Sequence, residues 1–347
     1  MKMMSTILKL AYSPLSAREI SKACNDECIL SALEQAHIYM IAKKPQIYFS
    51  DIRAENNQLK LKIKNVIGSM DVSIPLNQPI FETDLNKELI LDIGSNDRYI
   101  KKKNGVVCNA HGLNFYQIDK DILKNISEEA LDLYMVPENF IFWLTPEKLL
   151  FLYRNKDIRI PNFDKTKEFF GDYEVLYIGK ATEERVLERL DGHKTFLKIL
   201  QSEIESYKQI RDDVVVLFFE VDESRHSILM DEKTTEQDIA DAIMIRNLPS
   251  VETLCLEAEK IYINKFTPKY NEIVFKQYPK SDDGLFRYNY DIILYTLHDS
   301  INLLFKNMVF SGGYKENHLL YVKNEGVSVQ THESLKSVLS NKIIERL

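Results

Sequence analysis

From residue 46 to about residue 120 the hydrophobic period is two. The runs "QIYFSDI", "QLKLKIKNV", "MDVSIPL", "ELILDI" and "GVVCNAHGLNFYQI" are short and are divided by Asn, Asp, Gly and Pro. Successive side chains of a strand point to opposite faces, so such runs form half-buried strands and do not form helices. Residues 46–135 therefore read as a mostly β module.

On either side the period lengthens. In "AREISKACNDECILSALEQAHIYMIA" apolar residues recur at helical spacing, so residues 1–45 read as a helical segment. After the helical "KDILKNISEEALDLYM" the strand "NFIFWLT" leads into "PEKLLFLYRN", where Pro146 is well placed to open a helix. The strand "YEVLYIG" follows, then helical "TEERVLERL" and "TFLKILQSEIESYKQI". Next come the apolar strand "VVVLFFEV" and two helices, "TEQDIADAIMI" and "VETLCLEAEKIYINKF". The order β, β, α, α, β, α, α predicts an α+β domain over 136–280, a small mixed sheet covered by helices. The tail alternates again in "YNYDIILYTL", "HLLYVKN" and "VSVQTH", so 281–347 reads as a small β-rich extension.

The formal net charge is −7, which argues against a surface coated in positive charge for non-specific nucleic-acid binding. A local basic groove remains compatible, since Lys260, Lys265, Lys269, Lys276 and Lys280 fall close together. No apolar run approaches the ~20 residues of a membrane helix, and the first twenty residues lack a convincing signal-peptide pattern. A cytoplasmic protein without membrane association is expected. Four cysteines in so long a chain do not form a disulfide framework.

The chemistry-bearing residues follow the strand "EVLYIG". Tyr177 and Gly179 stand at its end, where a glycine commonly permits a tight turn. Arg185, Arg189 and His193 are spaced by four, so they share one face if the helix persists that far. Such arginines are commonly solvated surface charges. On the later helix, Leu254, Ala258, Ile261 and Tyr262 form an apolar stripe with Glu259 at its border, and Pro268 marks the helix end.

Taken in order, this set resembles the GIY-YIG nuclease family: YIG on a strand, Arg-x₃-His after it, then a glutamate nine residues before Pro-Lys-Tyr-Asn. The resemblance spans roughly residues 136–275. It implies a hydrolase, a metal-dependent endonuclease cutting DNA. Tyr177 would orient or activate the attacking water, Gly179 would let the backbone approach the phosphate, and Lys180 would assist there. Arg189 would bind the scissile phosphate, His193 would belong to the catalytic set, Glu259 would hold Mg²⁺ or Mn²⁺, and Asn271 would close the site. A phenol with a pKa near ~10 needs positive neighbours to act near neutrality, and Lys180 and Arg189 supply them. One carboxylate suffices for Mg²⁺, which keeps waters and borrows phosphate oxygens.

The pattern departs from the family in four places, one of them an insertion before Glu259. No Gly-Ile-Tyr lies a short way upstream. "NFIFWLT" carries Phe142 and Trp143 instead, and Tyr153 and Tyr173 are the candidate substitutes. An extra segment, about 146–170, separates that strand from YIG. The interval from Gly179 to Arg189 is two residues longer than the family's, which leaves Arg185 as a rival. A second expectation therefore stands beside the first: a catalytically degenerate domain that binds nucleic acid or protein. Residues 1–135 would serve partner or substrate recognition.

Three weaker patterns complete the reading. Cys24, Cys28, Cys108 and His111 have the look of a split zinc site, but Cys24 and Cys28 are also one helical turn apart and fit buried small residues. The "PLSAREISKACNDECILSALEQA" stretch reads as a plain helical hairpin, since its second helix lacks the Arg, Lys and Asn of a DNA-reading helix. Lys101 to Lys103 read as a solvated hairpin tip.

Overall fold

The run Val214–Phe219 is buried at every position. A strand covered on both faces lies inside a sheet, and this one is the middle of a ten-stranded mixed sheet in the computed structural model. The structure describes residues 2–92, 110–126, 131, 133–164, 168–182, 184–190, 192–205, 212–228, 234–243, 248–280, 284–306, 308–313, 318–323, 326–331 and 333–334.

In chain order the elements are β1 (Lys2–Leu10), β2 (Leu15–Ser16), α1 (Ala17–Ala23), α2 (Glu27–Ala32), β3 (Ile38–Pro45), β4 (Tyr48–Glu55), β5 (Gln58–Lys64) and β6 (Ser69–Pro75). There follow β7 (Lys87–Asp92), β8 (Leu113–Asp119), α3 (Lys120–Asn125), β9 (Phe140–Leu144), α4 (Pro146–Arg154), β10 (Asp172–Lys180), α5 (Val186–Leu190) and α6 (Lys194–Glu205). The chain continues with β11 (Asp212–Ile228), α7 (Glu236–Ile243), α8 (Val251–Phe266), β12 (Ile292–Leu297), β13 (Asn302–Phe305), β14 (Met308–Ser311), β15 (His318–Lys323) and β16 (Gly326–Thr331).

Two units divide these elements. The first comprises Met1–Lys44 and Gly171–Leu347, and the second is Pro45–Phe170, inserted between β3 and β10. The first unit holds the large sheet, in the order β14-β13-β10-β3-β11-β1-β12-β15-β16, with β2 added to β11. β10 runs antiparallel to β3, β1 antiparallel to β11, and β12 parallel to β1. The second unit holds two antiparallel three-stranded sheets, β4-β5-β6 and β7-β8-β9. Its own core joins Phe49, Ile63, Ile74, Phe115 and Leu149.

The expected α+β architecture, a small mixed sheet covered by helices, is corrected. The chain is mostly β, with only 30% helix. Two causes account for the difference. Residues 1–45, expected to be helical, contain β1 and β3. In β3 the first five residues are all buried, so the period-two signal is absent and the run reads like a buried helix. The tail strands β12, β15 and β16 build onto β1 as part of the main sheet. The segment expected as one domain, 136–280, is distributed: 136–170 lies in the second unit and 171–280 in the first.

Helix α8 is the element that matters most for the site. Ser250 caps its first turn by accepting from the Thr253 amide at 3.2 Å, and Thr267 closes it in the left-handed region at φ 45°. Tyr262 and Phe266 pack on the last strands of the sheet: Phe266 stacks on Phe305 at 3.9 Å between ring centroids, and Tyr262 meets Phe310 edge-on at 5.6 Å. Each such pair contributes about 0.5–1.5 kcal/mol beyond buried area. The helix is thereby held against β10. Among the described residues no helix is long and apolar enough to cross a membrane.

A candidate active site at the end of strand β10

The β3–β10 ladder sets Tyr177 against Ile41, Ile178 against Met40, Gly179 against Tyr39 and Lys180 against Ile38. Gly179 is therefore strand backbone rather than a turn. Its missing side chain is what the site uses. A Cβ there would lie 2.6 Å from Tyr39 Cζ and Oη and 2.9 Å from Tyr177 Cε1, so only glycine lets the two rings approach. Their centroids are 6.1 Å apart. The tyrosine beside Tyr177 is thus Tyr39, and neither Tyr153 nor Tyr173. Phe142, Trp143 and Tyr153 belong to the second unit, where Tyr153 stacks on Phe163. Tyr173 is fully buried at the start of β10, under Lys44.

Helix α5 turns its apolar residues Val186, Leu187 and Leu190 inward and leaves Arg189 half in solvent, paired with Glu184 at 3.2 Å. The helix ends at Leu190, so Arg189 and His193 do not share one helical face as expected. His193 instead lies beyond the turn at Gly192, where φ is +72°. Its ring stands edge-on to Tyr39 at 6.2 Å and 5.5 Å from Tyr177, with Nε2 3.4 Å from the Tyr39 hydroxyl. Arg185 is exposed and contributes its carbonyl to the Arg189 amide. Arg189, not Arg185, enters the electrostatic surroundings of both tyrosines.

Glu259 faces this group from α8. Burial pushes its carboxyl up to about 7, against the opposing pull of Lys180, Lys260 and Arg189. Burial also raises the Tyr177 phenol, and the Glu259 charge adds to that, while Tyr39 and Arg189 work the other way. The Tyr39 phenol is driven up by burial and by Tyr177, with Arg189 opposing. Cys255, one turn before Glu259, is pushed up to about 12 by burial and is no nucleophile. Lys180 reaches Thr182 Oγ1 at 3.2 Å.

The Pro-Lys-Tyr-Asn segment after α8 is scaffold. Strand β13 pairs with β10 only along Asp172–Glu174, which leaves the rest of that edge to be satisfied. The Tyr270 amide donates to Leu176 O at 3.0 Å. The Asn271 side chain then brackets Ile178, accepting from its amide at 3.0 Å and donating to its carbonyl at 2.8 Å. Asn271 thus acts as a one-residue strand. Lys269 and Tyr270 both donate to the buried Glu203 of α6, at 2.7 and 2.8 Å, and Lys43 of β3 approaches it at 3.5 Å. This network ties α6, β3 and the chain after α8 into one frame around the tyrosines.

No protein-family model, no curated protein and no solved structure matches the chain. The chemistry has to be read from the side chains. Tyr39, Tyr177 and His193 lie ring to ring, and Arg189, Lys180 and Glu259 belong to the same electrostatic group. Among the described residues no group of three or more His, Cys, Asp or Glu is placed to hold a metal. A cation here would rest on Glu259 alone. A metal ligand must be ionised, so with burial raising Glu259 to about 7 a cation there would compete with a proton at and below neutrality.

The residue missed by the sequence reading is Tyr39. Its signal is the Ile38-Tyr39 pair in the apolar run "HIYMIA", separated from YIG by the whole inserted unit. The reading of Cys24 and Cys28 as buried small residues is also corrected. Cys24 ends α1 and Cys28 lies in the first turn of α2; both are exposed rather than buried, because the pair sits on the two sides of a turn capped by Asp26. Cys108 and Lys101 to Lys103 lie outside the described residues.

Proposed function

We propose that the cluster around Gly179 is a phosphodiester-hydrolysing site of GIY-YIG type and that the protein is a DNA endonuclease. The observation that carries this reading is the meeting of Tyr39 and Tyr177, from neighbouring antiparallel strands, with Arg189, His193, Lys180 and Glu259. Arg189 offers a planar fork to the scissile phosphate. Tyr177 would act on the attacking water only as its phenolate, a form that Tyr39 and Arg189 favour and that burial and Glu259 oppose. Glu259 would hold Mg²⁺ or Mn²⁺. Such a cation, when bound, neutralises charge on the phosphate and on the leaving oxygen. Asn271 keeps the β10 backbone in place. The inserted unit, Pro45–Phe170, is the candidate for substrate or partner recognition.

Purified protein is incubated with supercoiled plasmid and Mg²⁺ or Mn²⁺, beside Glu259→Ala, Arg189→Ala and Tyr177→Phe. Nicking by the wild type, lost in all three variants, supports the enzyme. Equal background from all four with DNA binding retained sinks catalysis and leaves a binding protein.

A further inference from the structure

His193 joins two contacts that constrain each other. Its Nδ1 accepts the Phe196 amide at 3.2 Å, and its carbonyl accepts the Leu197 amide at 3.1 Å. Phe196 is the third residue of α6, so the His193 ring is the N-cap of that helix. An imidazole nitrogen that accepts a hydrogen bond carries no proton, so the neutral ring must hold its single proton on Nε2. Nε2 is the atom that faces the Tyr39 hydroxyl, at 3.4 Å.

The charged ring is disfavoured by the same geometry. A proton on Nδ1 would face the Phe196 N–H and forfeit the cap. It would also set positive charge at a helix N-terminus, where the dipole opposes it. The charged groups around the ring are Arg189, which opposes protonation, and Glu184, which favours it; burial and Arg189 prevail and hold the imidazole below its ordinary range. A ring kept neutral with a fixed tautomer does not cycle protons. It donates one N–H.

We propose that His193 is a positioning residue, locked as the Nε2–H tautomer by the cap it gives α6, and that it fixes which of the two tyrosines keeps its proton. With the Tyr39 oxygen accepting from Nε2–H, the Tyr39 hydroxyl hydrogen is turned away from His193 and toward Tyr177. Tyr39 then donates to Tyr177, and Tyr177 is the phenol that receives. This rests on the phosphodiesterase reading above for its consequence in catalysis, though not for the tautomer itself.

Full-length protein labelled with ¹⁵N-histidine is read by long-range ¹H–¹⁵N correlation at neutral pH without DNA, with His193→Gln used to assign the signal. A pyrrole-like Nε2 and a pyridine-like Nδ1 are expected. The opposite tautomer or an imidazolium overturns the proposal. Two variants separate positioning from mere support. The amide of His193→Asn sits where Nδ1 was and can cap α6, but it does not reach Tyr39. The amide of His193→Gln reaches the Nε2 position. On plasmid, Asn lowers kcat by about 10²-fold with KM unchanged, and Gln stays within about tenfold of wild type. Full kcat in the Asn variant, with α6 intact by circular dichroism, refutes the role. Absence of cleavage by the wild type would refute the phosphodiesterase reading instead, and the tautomer would still be decided by the spectrum.

Discussion

Asn271→Ala should release the exposed side of β10 at the residue between Tyr177 and Gly179. The Asn271 amide makes two hydrogen bonds to the Ile178 backbone, at 3.0 and 2.8 Å. Each contributes about 0.5–1.5 kcal/mol net. Ile178 is fully buried, so its amide and carbonyl do not simply turn to water when the partner goes. An unsatisfied buried group costs about 1–3 kcal/mol. The local loss should therefore come to about 3 kcal/mol, which corresponds to roughly 100-fold in an opening equilibrium. The assay is hydrogen exchange at the Ile178 amide, because a chain of two units need not melt in one transition. Asn271→Asp provides a signed control. At neutral pH its carboxylate still accepts from the Ile178 amide but faces the Ile178 carbonyl with no proton to give. Below about pH 3 the protonated carboxyl regains a donor, and part of the protection returns. If Ile178 exchanges within threefold of wild type in Asn271→Ala, Asn271 does not hold this edge, and the one-residue-strand account is wrong.

Gly179→Ala forces a methyl to within 2.6 Å of the buried Tyr39 ring and should cost about 1–3 kcal/mol while separating the tyrosines; nicking at wild-type rate by a stably folded variant would contradict the packing argument. Glu203→Gln should destabilise by about 1–3 kcal/mol at neutral pH, since the amide keeps one acceptor oxygen but loses the charge that pairs with Lys269 and Lys43 and turns the other oxygen into a donor. Burial opposes the Glu203 charge, but Lys269, Tyr270 and Lys43 outweigh it and hold the carboxyl below its ordinary range. Its contribution is thus present above about pH 4.5 and lost as pH falls through the lower folded value, so wild type and variant should converge in acid denaturation series. Glu259 has the opposite sign. With its carboxyl raised from 4.5 to about 7, the folded state holds a proton that the unfolded chain releases, so stability is full below about 4.5 and declines as pH rises through about 7. Glu259→Gln, compared in chelator, should match wild type near pH 4 and exceed it at pH 8 by no more than about 3 kcal/mol; equal stability at both values would show that the carboxylate is not desolvated.

The sequence carried the site unevenly, and the reason is physical. Tyr177, Glu259 and Asn271 lie on elements with strong local signals: a strand ending in glycine, and a helix with an apolar stripe and a proline stop. Tyr39 gave no such signal. The first half of β3 is buried on both faces, so its residues "IYMIA" lack alternation, and its partner strand comes only after the whole of Pro45–Phe170. Strand pairing across so long a gap leaves no mark in a local pattern. The same blindness explains the fold. The alternating runs of β5, β6 and β8 read as strands because one face of each is more exposed than the other. The central strand β3 reads like a helix because neither face meets solvent at its start, and the tail reads as a separate piece because the parallel register of β12 on β1 joins opposite ends of the chain. His193 shows the complementary case. Its spacing from Arg189 reads as one helical turn, but α5 spans Val186–Leu190 and α6 begins at Lys194. The break is what gives His193 its chemistry. Inside a continuous helix its ring would have no orphan amide to accept and no reason to hold one tautomer. Set between two helices, it caps the second with one nitrogen and meets Tyr39 with the other.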